Sequence, residues 1–268
     1  MAPTVAQACR GVLLAADPRA KVKAARAAAR LWRRGGLAHI FDMAMADRPA
    51  RPERPELLPP NRMPKRGRAG SERSRIALLH ALAHIEFGAI DLAFDMAGRF
   101  GAAFPPRFVD DWLSVGADEA MHFVLLDRRL RALGSCYGAL PAHDGLWEAA
   151  AETAHDVLAR LAVVPMVLEA RGLDVTPATL AAFERAGDAR SAAILGRIYR
   201  DEIRHVGIGT AWFKIVCESH EIDPAPEWQR LIRAHFRGIV KPPFNDSARG
   251  EAGLSRDFYA GVAPPEAR

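Results

Sequence analysis

The sequence predicts an all-α chain centred on a four-helix bundle, with extra N-terminal helices and an irregular C-terminal tail. Three observations carry this expectation. Apolar residues fill 50% of the 268 positions, Ala and Leu dominate and only 7% are aromatic, a composition that favours helices. Glycines and prolines divide the chain so that four long segments remain between them. Finally, Glu-x-x-His, a pair that shares one helix face, occurs twice in corresponding places.

Taken in order, residues 4–16 and 19–34 read as two short helices, with Asp17-Pro18 starting the second. Residues 37–46 add another turn or two. Residues 47–70 carry Pro49, Pro52, Pro55, Pro59, Pro60 and Pro64 among arginines and read as an extended, semi-rigid connector. The first bundle helix spans 71–100, ended by Gly101 and Pro105-Pro106. The second spans 106–133, stopped by Gly134, and 134–145 is a loop. The third spans 146–171 and ends at Gly172; Thr176-Pro177 starts a short crossing helix to 186. The fourth spans 189–220, a last helix covers 227–237, and 238–268 is irregular. The expected domains are an arm (1–46), the connector (47–70), the bundle (71–222) and a C-terminal helix and tail packing on it (223–268).

The motifs are Asp118-Glu119-Ala120-Met121-His122 and Asp201-Glu202-Ile203-Arg204-His205. A further glutamate precedes each by 33 residues, Glu86 before Glu119 and Glu169 before Glu202, and the halves are offset by 83. With 15 Glu and 9 His, Glu-x-x-His is expected about 0.5 times by chance. A third instance, Glu152 with His155, lies roughly 21 Å along a helix from Glu169, lacks the leading Asp and reads as a solvated face. The repeat also embraces Glu86-x-x-x-Ile-Asp91 and Glu169-x-x-x-Leu-Asp174. Glu86, Glu119, His122, Glu169, Glu202 and His205 together form the ligand set of a two-metal centre in a helical bundle. Carboxylate oxygen with imidazole suits two Fe ions, or Mn or a mixed Mn/Fe pair, and four carboxylates neutralise two divalent ions.

These residues also carry a family resemblance. The stretches 80–95, 118–126, 164–174 and 201–213, with milder likeness around RPERPELLPP (51–60) and KPPFN (241–245), resemble the ferritin-like superfamily and, within it, the bacterial family DUF455. DEIRH is similar to a signature of dioxygen-activating di-iron carboxylate enzymes. The resemblance implies a ferritin-like fold and a di-metal centre; it implies no substrate.

Supporting residues follow from position. Asp118 and Asp201 are expected to orient a ligand histidine, with an ion pair to a nearby arginine as the alternative. His80, His84, Asp91 and Asp95 share roughly 60° of the helical wheel, and His84 points about 200° from Glu86. This stripe reads as a polar face or interhelical hydrogen bonds, with His84 supporting the site rather than binding metal. Tyr199 and Trp112 are candidates for the site's interior, with simple core packing as the alternative. Pro165, four before Glu169, predicts a kink or widened turn there.

The net charge of +5 and pI near 9.4 come mostly from arginines at 19–34 and 48–75. A solvated basic surface is favoured over a nucleic-acid partner, because no aromatic interleaving accompanies the charge. Three isolated cysteines, no run of 18 apolar residues and no signal peptide give the expectation of a cytoplasmic protein without membrane spans. The leading functional expectation is an oxidoreductase that uses O2 to hydroxylate, desaturate or N-oxidise an organic substrate, free or carrier-bound, with electrons from a separate donor. Alternatives are a ferroxidase or metal-handling protein and a non-catalytic protein stapled by metal. A homodimer is left open.

Overall fold

A computed structural model describes residues 2–64, 67 and 69–264. Among these residues every regular element is helical; the extended backbone pairs only at isolated bridges, Thr4 with Ala38 and Leu57 with Ala142. The chain divides into two compact units, 1–147 and 148–268.

The first unit holds α1 (Val5–Leu13), α2 (Pro18–Arg33), α3 (Glu72–Phe100) and α4 (Pro106–Ala132). Local chemistry sets their starts. Thr4 and Gln7 make a reciprocal capping box on α1; Asp17 accepts from the Ala20 N–H at 2.8 Å ahead of Pro18; Ser71 and Ser74 cap α3. The α3–α4 hairpin is the centre of this unit, with α1 packed on α3 and α2 on α4. Gly116 lets the hairpin close, since a Cβ there would lie 2.5 Å from the Phe94 ring. The apolar length of Glu72–Ala103 would suffice to cross a membrane by composition alone, but 67% of its most apolar stretch is buried inside the protein.

The second unit holds α6 (Val157–Val163), a π-helical turn (Val164–Glu169), α7 (Ala170–Arg185), α8 (Ala189–Ser219) and α9 (Pro224–His235), then α10 (Asp246–Glu251) and α11 (Arg256–Ala260). α5 (Gly145–Glu152) contains the division between the units. The 83-residue offset extends to the element boundaries. Pro106, where α4 begins, corresponds to Ala189, where α8 begins, and α3 corresponds within two residues to 157–185.

Several expectations need correction. Residues 37–46 form no helix, because their backbone pairs with the extended N-terminus: Val5 N–H donates to Ala38 O and Ala38 N–H to Pro3 O, both at 3.0 Å. The expected helix 146–171 is broken after Glu152. Arg160, buried, donates to the Thr153 hydroxyl at 3.0 Å and to Ala150 O, which holds the break, and Asp156 caps the helix that restarts. The pair Glu152–His155 therefore lies across a helix end: Glu152 pairs with Arg237, and His155 rests against the His235 ring. Gly172 does not end a helix, nor does Pro177 start one, because α7 runs through both. The tail is not wholly irregular, since α10 and α11 form within it. Positions 65, 66 and 68 of the connector and 265–268 of the tail lie outside the described residues.

The second member of the repeated motif explains how flanking segments attach. Asp91 is fully buried on α3 and pairs with Lys21 of α2 and Arg51 of the proline-rich connector. Lys21, equally buried, also donates to Val12 O and Leu13 O at 3.0 and 3.2 Å. Burial pulls the Lys21 ammonium below its usual pKa and pushes the Asp91 carboxyl above its own, and the close pairing opposes both shifts. The corresponding Asp174 on α7 takes two 2.8 Å bonds from Arg249 of α10 and one of 2.9 Å from the Asn245 N–H. Each hairpin thus clamps its own appended segment through an aspartate five residues after its lone glutamate. Asp91→Ala, which strands the buried Lys21 charge, is expected to cost about 3–5 kcal/mol in urea denaturation. A loss below about 1 kcal/mol, the range of exposed pairs, would refute the clamp.

Candidate metal centre

In the first unit, the α3–α4 hairpin places three expected ligands together. Glu86, Glu119 and His122 are 4%, 1% and 0% exposed. His122 Nδ1 stands 3.0 Å from Glu86 Oε2 and 3.4 Å from Glu119 Oε2. One ligand atom from each residue lies within 4.8 Å of the others. That is close to the span of opposite ligands on one ion with bonds of roughly 2.0–2.2 Å. Burial disfavours the His122 imidazolium, but its hydrogen bonds to the Glu119 and Glu86 carboxylates outweigh this and raise its pKa to about 11. Two buried carboxylates thus face one imidazole, an arrangement that attracts positive charge. Its donor set is two oxygens and a nitrogen with no thiolate, which fits Fe(II) or Mn(II).

In the second unit, α8 carries Glu202 and fully buried His205, with Nδ1 3.6 Å from Glu202 Oε1. Glu169, half-buried, closes the π-helical turn. That turn answers the expectation at Pro165. In a regular α-helix the proline ring would meet the carbonyl four residues back, and one widened turn relieves the contact. The turn packs directly on α8: a Cβ on Gly209, one turn beyond His205, would sit 2.4 Å from Pro165 Cβ. Glycine is thus what lets the segment bearing Glu169 approach the helix bearing Glu202 and His205.

The supporting residues divide. Asp201 takes a 2.8 Å bond from Arg197, the ion-pair alternative. Asp118 is half-buried beside Glu119 in sequence. Tyr199 turns to the tail, where its hydroxyl accepts from Asn245 Nδ2 at 2.9 Å. Trp112 is core. His84 does not support the ligands: its Nδ1 meets Tyr137 OH at 2.9 Å and its Nε2 meets His143 O at 3.1 Å. The whole stripe behaves likewise, His80 taking the Gly138 N–H at 2.9 Å and Asp95 pairing with Arg99 at 2.8 Å. Sequence reasoning missed Lys21, Arg51 and Arg249, because a cation's buried partner is distant along the chain. The available signal was the repeated aspartate at 91 and 174.

Helix propensity and packing oppose each other at Gly209. Gly209→Ala would stabilise an open helix by about 1 kcal/mol. Against Pro165 it is expected instead to destabilise by about 1–3 kcal/mol. Gly172→Ala, with nothing within 4 Å of the added carbon, serves as the open-helix control and should stabilise. Equal melting shifts for the two variants would refute the contact.

Comparison with known proteins extends this picture to a family. A family described as "Protein of unknown function (DUF455)" matches residues 14–260. A Haemophilus influenzae protein, named only "Uncharacterized protein", is 42% identical over 211 residues, covering 76% of this chain and 73% of its own. No solved structure matches the chain. Because the match takes in both hairpins and the segments clamped to them, this chain belongs to the DUF455 family.

Proposed function

We propose that this protein is a ferritin-like di-iron carboxylate oxidoreductase that uses O2 to oxidise an organic substrate. The observation that carries the reading is the convergence of buried Glu86, Glu119 and His122 on α3 and α4. The repeated motif on α8 supports it: Glu202 and buried His205 offer the same chemistry with the same spacing.

In this reading Glu86, Glu119 and His122 serve one half of the centre, and Glu169, Glu202 and His205 serve the other. Two ferrous ions would supply the electrons and open coordination positions that O2 reduction needs. The chain's own residues set the conditions. Burial in the α3–α4 hairpin strengthens the pull of both carboxylates on a cation. The π-helical turn frees Glu169 from regular helical geometry, and such turns recur at functional sites. Electrons for repeated turnover come from a separate donor.

The first test is metal content by elemental analysis after anaerobic loading with Fe(II). About two ions per chain are expected. Glu119→Ala and His205→Ala should each lose at least one while the helical circular dichroism persists. Unchanged metal content in both folded variants would sink the reading. Oxygen uptake then separates the functions: an oxidoreductase consumes O2 in proportion to substrate and reductant, whereas a ferroxidase consumes it with Fe(II) alone.

A further inference from the structure

The first unit contains a cleft that none of the six candidate ligands lines. It lies along the stripe of α3 that carries His80 and His84, and is closed by the connector and the loop between α4 and α5. A larger lobe of ≈ 320 Å³ and a smaller one of ≈ 50 Å³ share Met63, Ala81 and Pro141. The larger volume falls at the low end of small-molecule sites, roughly 300–1,000 Å³. Its walls are mainly apolar, from Met63, Ile76, Ala77, Ala81, Leu140 and Pro141, with Glu72 and Arg73 also contributing.

One polar side chain in this lobe carries specific information. His80 is 1% exposed, and its Nε2 accepts the Gly138 N–H at 2.9 Å and the Leu140 N–H at 3.4 Å. A nitrogen that accepts has no proton, so the proton of the neutral ring is on Nδ1. Burial holds the ring neutral, lowering its pKa to about 4. Among the described residues nothing accepts from Nδ1, although His80 lines the lobe. The loop that holds Nε2 fixes the direction of this donor, so an acceptor placed in the lobe would complete the ring's hydrogen bonding. His84, by contrast, has both ring nitrogens engaged.

We propose that this cleft binds a small, mainly apolar acyl compound whose carbonyl or carboxylate oxygen accepts from His80 Nδ1. The apolar walls take the hydrocarbon part. His80 offers a cationic ligand only a donor, and Glu72 in the wall is accompanied by the opposite charge of Arg73. The site needs no metal and is independent of the proposed oxidoreductase activity.

The test uses the full chain with three probes of one length: octanoate, octanamide and octylammonium. Binding is followed by ligand-observed NMR, and the ring nitrogens of 15N-labelled protein report on His80. Octanoate and octanamide are expected to bind and to shift the His80 Nδ1 signal, with octylammonium at least about tenfold weaker. His80→Phe, which keeps the ring but removes the donor, should weaken octanamide about tenfold. Ala81→Phe leaves the loop's bonds to His80 intact and fills the boundary of the two lobes; it should abolish binding. Equal binding of octylammonium, binding unaffected by Ala81→Phe, or no binding by any probe would each overturn the proposal.

Discussion

The constraint on which this structure depends is that a carboxylate buried among helices must be compensated. In the first unit Glu86, Asp91, Asp95 and Glu119 are all 4% exposed or less. An unpaired charge at such a position is very costly, so each dictates part of the architecture. Asp91 brings in Lys21 and Arg51, and thereby α2 and the proline-rich connector. Asp95 takes Arg99 within α3. Glu86 and Glu119 meet at His122, which places the candidate metal ligands at the centre of the hairpin.

The second unit follows the same logic with different partners. Asp174 receives Arg249 and the backbone of Asn245, so the tail folds onto α7 and α10 forms beside it. Arg171 adds bonds to Lys241 O and Pro243 O, which fixes the KPPFN stretch. Asn245 ties Leu173 and Tyr199 to the same point. Both segments that resemble the family outside the helices, RPERPELLPP and KPPFN, thus supply or adjoin the partners of a repeated aspartate. Their composition reflects attachment as much as solvation.

Candidate ligands and attachment residues separate onto different faces of the same helix. On α3, Glu86 faces His122 while His80, His84 and Asp91 face the arm, connector and loop. The acyl cleft therefore sits on the attachment side, walled by segments that the ion pairs hold in place. The π-helical turn is the corresponding irregularity in the second unit, placed where a proline meets a ligand helix.

The sequence by itself determined the helical class and the hairpin repeat, and it nominated the candidate ligands. Each rests on information that is local or periodic: composition, Gly and Pro punctuation, and three-residue spacing on one helix face. It also located the widened turn at Pro165, because a proline's steric conflict is local. Tertiary structure alone decided the rest. Residues 37–46 are extended because they pair with residues 3–5, and the break after Glu152 persists because Arg160 bonds the Ala150 carbonyl and the Thr153 hydroxyl. α7 continues past Gly172 and Pro177 where local signals favour a stop, since packing on α8 and the Asp174 clamp outweigh a single lost bond. Arg51 reads as solvated connector and is instead half-buried against Asp91, 40 residues away. Charge pairing at such separations has no periodic trace in a single sequence, so only the folded chain reveals which cation each buried carboxylate holds.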